Sequence, residues 1–155
     1  MIRPATPADV PVVLELVKEL ATYEREPDAV LATEADLHAA LFGEGAVASC
    51  HVAVAAGVVV GFALWYPTFS TWQGKPGLWL EDLFVRPEAR GTGLGKALLV
   101  ELARTAMARG WTRFEWWVLD WNTPAQGFYR SLGARPEDAW TVWRVDGEAL
   151  RLLAE

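Results

Sequence analysis

Between Glu44 and Lys75 the chain carries no charged side chain. A stretch of that kind is either buried in a protein core or embedded in lipid. Its apolar centre, residues 52–66, is shorter than the ~18–20 residues a membrane span needs. It is rich in valine and interrupted by Gly57 and Gly61. Valine-rich runs of strand length punctuated by glycine read as buried strands, so two are expected, 52–56 and 58–66, joined by a tight turn near Gly57. This centre constrains the rest of the chain, because strands buried on both faces need helices to cover them.

The flanking sequence supplies those helices. Ile2 to Pro4 reads as a short first strand. Thr6-Pro7-Ala8-Asp9 is a helix start, with Thr6 as N-cap, Pro7 at the first helical position and Asp9 in the first turn. Val10, Val13, Leu14, Val17, Leu20 and Ala21 then recur at helical spacing, to about Tyr23. Thr33 to Asp36 opens a second, shorter helix through Leu37, Leu41 and Phe42, closed by Gly43. Residues 67–77 form a polar loop with proline and glycine. A strand over 78–85 follows, stopped by Pro87, then a helix over 95–108 closed by Gly110. Residues 114–119, apolar on both faces, read as a central strand. Thr123-Pro124 begins a helix ending at Gly133. Residues 140–145 read as a last strand, before a short helix from Asp146. Strands alternating with helices in this way, over 155 residues without a linker or repeat, imply one α/β domain, 1–155, built on a mixed sheet.

Composition narrows the function. Fourteen Lys+Arg against twenty Asp+Glu give a net charge of −6. That disfavours nucleic acid and anionic membranes as partners and leaves cations open. Residues 1–80 hold 4 basic and 9 acidic side chains, net −5, and residues 81–155 hold 10 and 11, net −1. An acidic first half and an arginine-bearing second half suit a protein that meets a cation and an anion, although solvated surface charge would look the same. One cysteine, Cys50, excludes an internal disulfide, and two histidines, His38 and His51, make a zinc site unexpected. The first residues lack the apolar core of a signal peptide, so a cytoplasmic location is the expectation.

The chemistry centres on Arg90-Gly91-Thr92-Gly93-Leu94-Gly95-Lys96, set between a strand and a helix. Glycines at alternate positions allow a tight turn and close approach of backbone to ligand. The helix that begins there aims unpaired N–H groups and its positive dipole end into the loop, which suits a pyrophosphate. A P-loop is excluded, since Ala97 follows Lys96 where Ser or Thr is required. The dinucleotide fingerprint is excluded too, because the spacing is GxGxG and not GxGxxG. A glycine turn with no ligand remains the bland alternative.

Arg90-x-x-Gly93-x-Gly95 after an apolar strand resembles the acetyl-CoA loop of the GNAT superfamily of N-acetyltransferases. Asn122-x-x-Ala125-x-x-Phe128-Tyr129-x-x-x-Gly133 resembles a second signature of that superfamily. Ile2-Arg3-x-Ala5-Thr6-x-Ala8-Asp9, Lys18-Glu19-Leu20-Ala21-x-Tyr23-Glu24, Trp72-x-Gly74-Lys75 and Leu80-Glu81-Asp82-x-Phe84-Val85 extend the similarity to the diamine acetyltransferase group, which includes enzymes acting on thialysine. The likeness runs from Ile2 to about Leu153.

The resemblance implies a mostly antiparallel central sheet flanked by helices, splayed at the cofactor site. It implies acetyl transfer from acetyl-CoA to a primary amine of a small cationic substrate, by direct attack in a ternary complex. Tyr129 is matched to the acid that protonates the departing thiolate, and Glu81 to the base that takes the amine proton. A phenol can donate without carrying charge. Leu83, Phe84 and Val85 would pair with pantetheine, with a backbone N–H near Leu83 facing the developing oxyanion. Arg90, Gly91, Thr92, Gly93, Leu94, Gly95 and Lys96 would hold the pyrophosphate. Asn122, Thr123, Pro124 and Ala125 would meet the cofactor across the splayed strands. On the substrate side the resemblance points to Tyr23, Glu24, Glu81, Asp82, Trp116 and Asp138. Adjacent strand residues face opposite ways, so Glu81 and Asp82 are expected on opposite faces, and a structural role for Asp82 stays open. A homodimer is implied. Two other readings remain: a protein lysine or N-terminal acetyltransferase, and a non-catalytic acyl-CoA-binding protein.

Overall fold

A computed structural model describes residues 1–155. The elements are β1 (Ile2–Pro4), α1 (Val10–Tyr23), α2 (Glu34–Phe42), β2 (Ser49–Ala55), β3 (Val58–Ser70), β4 (Lys75–Val85), α3 (Leu94–Ala108), β5 (Phe114–Trp116), α4 (Thr123–Ser131) and α5 (Gly147–Leu153). They form two compact units, Met1–Trp117 and Val118–Glu155. The first holds a five-stranded sheet in the order β1-β2-β3-β4-β5. Its first three pairings are antiparallel and the last, β4 with β5, is parallel. No helix is long and apolar enough to cross a membrane.

The uncharged stretch forms β2 and β3, and its alternation supplies two cores. Cys50, Val52, Phe62, Leu64 and Phe84 cluster with Val13, Leu16 and Leu20 of α1 and Leu41 of α2. The alternate residues Ala53, Ala63, Trp65 and Leu80 are buried on the other side, with Leu98, Leu99, Leu102 and Ala106 of α3. Each fully buried Leu, Val or Phe stabilises the fold by roughly 1.5–3 kcal/mol.

The start of α1 is tied down by charge. Asp9 is buried and accepts from Arg3 Nη1 (2.7 Å) and Nη2 (2.8 Å), and from the Thr6 backbone N–H (2.7 Å) and hydroxyl (2.8 Å). The Arg3 guanidinium and these Thr6 donors hold the Asp9 carboxyl well below the usual carboxylate range. Pro7–Asp9 is a 3-10 turn leading into the helix. Thr33 and Asp36 make the second expected box, with Asp36 N–H donating to Thr33 Oγ1.

The structure departs from the sequence reading in three places. Residues 67–77 are mostly hairpin: β3 runs on to Ser70 and β4 begins at Lys75, with pairs such as Pro67↔Leu78 and Phe69↔Pro76. Proline and polar residues masked a ladder that the register of the long antiparallel pair carries onward. Residues 140–145 are not a strand. Their alternation of tryptophan, valine and polar residues fits a strand, but the second unit contains only helices α4 and α5 and offers no strand to pair with. In consequence residues 114–119 are not a central strand: β5 is three residues long and lies at the sheet edge.

Candidate active site

The glycine loop follows β4 and ends at α3. Gly91 (φ +76°) and Gly93 (φ +82°) adopt the left-handed conformation that favours glycine, and open space surrounds the point where a side chain would begin on either. Gly93 is the N-cap of α3, and no side chain caps the helix. Thr92 Oγ1 donates instead to the Ala89 carbonyl at 2.6 Å, tightening the loop. The first-turn N–H groups of Leu94, Gly95 and Lys96 have no acceptor within the helix. Backbone donors, a positive dipole end and clear space thus converge, and the loop fits a diphosphate. Arg90 is engaged elsewhere. Its Nε donates to the Val85 carbonyl at 2.8 Å, and its guanidinium lies 5.2 Å from the Tyr23 ring centre and 5.4 Å from that of Phe84.

Next to the loop, β4 has an open edge. Its parallel pairing with β5 runs from Leu78↔Phe114 to Leu80↔Trp116 and stops. From Glu81 to Val85 the strand pairs only with β3, so Leu83, Phe84 and Val85 lie on a backbone edge free to bond an extended ligand.

The register of β4 on β3 shifts at this point. Leu64 pairs with Asp82 and Trp65 with Leu80, leaving Glu81 without a partner. This bulge overturns the expectation that Glu81 and Asp82 face opposite ways. Asp82 lies across from Leu64, on the α1 side of the sheet. Glu81 Oε2 accepts from Trp79 Nε1 (3.2 Å) and Tyr66 Oη (3.0 Å), residues that pair with each other across the hairpin. One inserted residue therefore sets two carboxylates together. Glu24, the C-cap of α1, joins them. Burial, and then the charges of Glu81 and Glu24, push the Asp82 carboxyl up to about 7. Burial raises Glu24 as well. Tyr66 is pushed up to about 12 by burial and by its bond to Glu81. None of the ion pairs in the structure involves these three carboxylates. A buried arginine partner, the ordinary structural explanation for such acids, is absent.

The aromatic residues sort by face. Trp116 is registered with Leu80, whose partner Trp65 belongs to the α3 side. It packs its ring 5.1 Å from Phe114. Its neighbour Trp117 meets Trp79 edge-on at 5.1 Å, on the side of Glu81. The structure thus brings Glu24, Glu81 and Asp82 together, sets Tyr23 against Arg90, and places Trp116 on the other face. Tyr66, Trp79 and Trp117 are the residues that reading the sequence missed. Their only signal is cross-strand register, which the unseen bulge scrambles.

In the second unit, Asn122 is buried and caps α4, accepting from the Ala125 N–H at 3.3 Å; Thr123 and Pro124 begin the helix. Gln126 Nε2 donates to the Asp120 carbonyl at 3.0 Å, fixing the loop before it. Tyr129 is half-buried on α4 with its ring 5.4 Å from Phe128. Asp138 is exposed in a turn.

A helix mouth with free backbone donors, an open strand edge beside it and a cluster of carboxylates outside any ion pair thus lie along β4 and the loop that follows it. Residues 13–134 match the acetyltransferase (GNAT) family. The chain belongs to that family. Among its relatives is the thialysine N-epsilon-acetyltransferase of Bos taurus, 38% identical over 99% of this chain and 96% of that protein. The L-ornithine N5-acetyltransferase of Arabidopsis thaliana is 29% identical over 98% and 86%. An integron cassette protein from the mobile metagenome of V. cholerae superposes with a TM-score of 0.84, at 29% identity, over 100% of this chain and 97% of that one. The GNAT fold expected from the sequence is the one observed, and the chain is an N-acetyltransferase.

Proposed function

We propose that the protein transfers an acetyl group from acetyl-CoA to a primary amine of a small cationic substrate of the thialysine, ornithine or diamine type. The observation that carries this is the trio Glu24, Glu81 and Asp82: Glu81 and Glu24 lie close enough to Asp82 to raise its proton affinity, and none of the three is held in an ion pair. A small ammonium would supply a partner, and the aromatic rings of Tyr66 and Trp79, both bonded to Glu81, suit a cation in the same place. The family's relatives that act on thialysine and on ornithine support the same substrate class.

Acetyl-CoA supplies an activated acyl thioester. The Gly91 to Lys96 backbone would hold its diphosphate, and the open edge of β4 at Leu83, Phe84 and Val85 would align the pantetheine arm and donate to the acyl oxygen. Asn122 to Ala125 would contact the cofactor, as the resemblance to the family implies. An amine attacks only when neutral, so the carboxylates at Glu81 and Asp82 would receive its proton. Tyr129 would protonate the departing thiolate. Both units form one acetyltransferase domain on this reading, supported by the family match running across their boundary. A cytoplasmic homodimer completes it. The free, buried Cys50 suits a reducing compartment, and Trp143, 91% exposed, offers apolar surface to a second copy.

The test is acetyl-CoA-dependent thiol release against thialysine, ornithine, putrescine, spermidine, lysine and a lysine-containing peptide, with a no-amine control. Turnover with the small diamines, and weak turnover with the peptide, is expected. A preference for the peptide would move the protein to the protein-acetylating class. Tight acetyl-CoA binding with no release from any acceptor would leave a non-catalytic binding protein.

A further inference from the structure

A seam of charged and aromatic side chains joins α1 to the segment between β4 and the glycine loop. Glu15, Glu19 and Tyr23 stand four residues apart on α1, so one face of the helix carries all three. Two arginines, also four residues apart, meet that face. Arg86 is largely buried and donates to Glu19 from Nε (3.0 Å) and Nη2 (2.8 Å), with a longer bond from Nη2 to Glu15 (3.5 Å). Arg90 makes the last rung. Its guanidinium lies over the Tyr23 ring and beside the Phe84 ring, while its Nε holds the Val85 carbonyl at 2.8 Å. A fork on a carboxylate and a flat cation on a ring both use the planar guanidinium, which an ammonium does not reproduce.

The seam ends where the two halves of the site meet. Glu24, one of the three carboxylates, follows Tyr23 as the C-cap of α1, and Gly91 of the glycine loop follows Arg90. A rung between Tyr23 and Arg90 therefore fixes the spacing between the acidic cluster and the loop. The Arg90 side chain turns back to β4 and α1, where its Nε is spent on a carbonyl and its face on two rings. The loop has other donors for a diphosphate, the first-turn N–H groups of Leu94, Gly95 and Lys96.

We propose that Arg90 is a positioning residue for the acceptor amine, acting through Tyr23 on Glu24, and not a ligand of the diphosphate. The assignment rests on the amine-acetylation reading above and adds the residue that holds its acceptor side in place. Tyr23 then serves the fold's own cation rather than the substrate's.

The experiment measures acetyl-CoA affinity by calorimetry and amine KM by thiol release, with the amine of the panel above that is turned over fastest. It uses the full chain as wild type, Arg90→Lys, Arg90→Gln, Tyr23→Phe, Tyr23→Leu and the double variant Arg90→Gln/Tyr23→Leu. Both Arg90 variants should raise the amine KM by about two- to fivefold, the worth of one partly exposed cation–π contact, with acetyl-CoA affinity unchanged. Tyr23→Phe keeps the ring and should keep the wild-type KM. Tyr23→Leu should match Arg90→Gln, and the double variant should be no worse than either alone. A diphosphate ligand would behave differently: Arg90→Gln would weaken acetyl-CoA by more than about tenfold, and Arg90→Lys, which retains the charge, would restore most of it. That pattern overturns the assignment and leaves the acetyl-transfer reading intact. So does an amine KM unchanged in both Arg90 variants, or a double variant whose effect is the product of the two single ones. If the Arg90 variants fail to fold, the Tyr23 pair decides, since equal KM values for Tyr23→Phe and Tyr23→Leu also overturn it. No turnover of any amine by wild type would overturn both readings together.

Discussion

Replacing Asp82 with asparagine should make the protein more stable and less active, and the gain should grow with pH. The magnitude follows from the site. Asp82 has an ordinary carboxyl value of 3.8, and burial beside Glu81 and Glu24 pushes it up to about 7. At about 1.36 kcal/mol for each tenfold change in proton affinity, holding it ionised in the fold costs roughly 4 kcal/mol. The folded state binds the extra proton between about pH 4 and pH 7. The favourable contribution is therefore complete below pH 4 and is lost as pH rises through 7, after which the cost is constant. Asparagine keeps the shape and removes the charge, so the variant should gain about 2–4 kcal/mol at pH 8 and almost nothing at pH 4. For a chain of this length that is a rise of roughly 5–15 °C in melting temperature at pH 8. Urea unfolding at pH 4, 6 and 8 measures the gain, and thiol release on the same preparations measures the loss of turnover. A buried carboxylate serving structure would behave oppositely. If Asp82→Asn destabilises the protein at pH 8, or if its effect is the same at all three pH values, the carboxylate cluster is not an empty cation site.

Three further substitutions probe other parts of the molecule. Asp9→Asn removes the charge that Arg3 and Thr6 hold, and should cost about 2–4 kcal/mol at pH 7 by denaturant melts. The Asp9 carboxyl is depressed in the fold, so its stabilisation is present above about pH 4 and lost as pH falls; the acid limb of the wild-type stability curve should flatten in the variant. Tyr66→Phe takes one of two donors from Glu81 and should raise the KM for the amine several-fold, with KM for acetyl-CoA unchanged; equal changes in both would remove Tyr66 from the amine side. Tyr129→Phe should lower kcat by about 100-fold or more with acetyl-CoA affinity retained, and a loss confined to affinity would refute its role as the acid.

What could be read from the residues depended on whether the determining force was local. Gly91 and Gly93 sit at positive φ because the turn admits little else, so the loop is visible in the composition of seven residues. Thr6 with Asp9 and Thr33 with Asp36 announce helix starts for the same reason, since each box closes within three residues. The uncharged stretch gave its strands because one face of each had to meet α1 and the other α3. Pairing is not local, and there the reading failed. Residues 140–145 have the alternation of a strand and no ladder to join. Residues 67–70 have proline and polar side chains yet pair, because β4 lies beside them.

The bulge at Glu81 is the sharpest instance, and it decides the chemistry. Nothing in Leu80-Glu81-Asp82-Leu83 announces an extra residue, so alternation assigns the two acids to opposite faces. The slip between Leu64 and Trp65 turns them to one face, beside Glu24, and at the same step ends the pairing of β4 with β5. A single irregularity thus creates both the acidic cluster and the open strand edge. A regular strand would have separated the carboxylates and left the edge free to pair onward. On the proposed function, the acceptor amine would use the cluster and the extended acyl donor the edge, and both would meet at the residue where the ladder breaks.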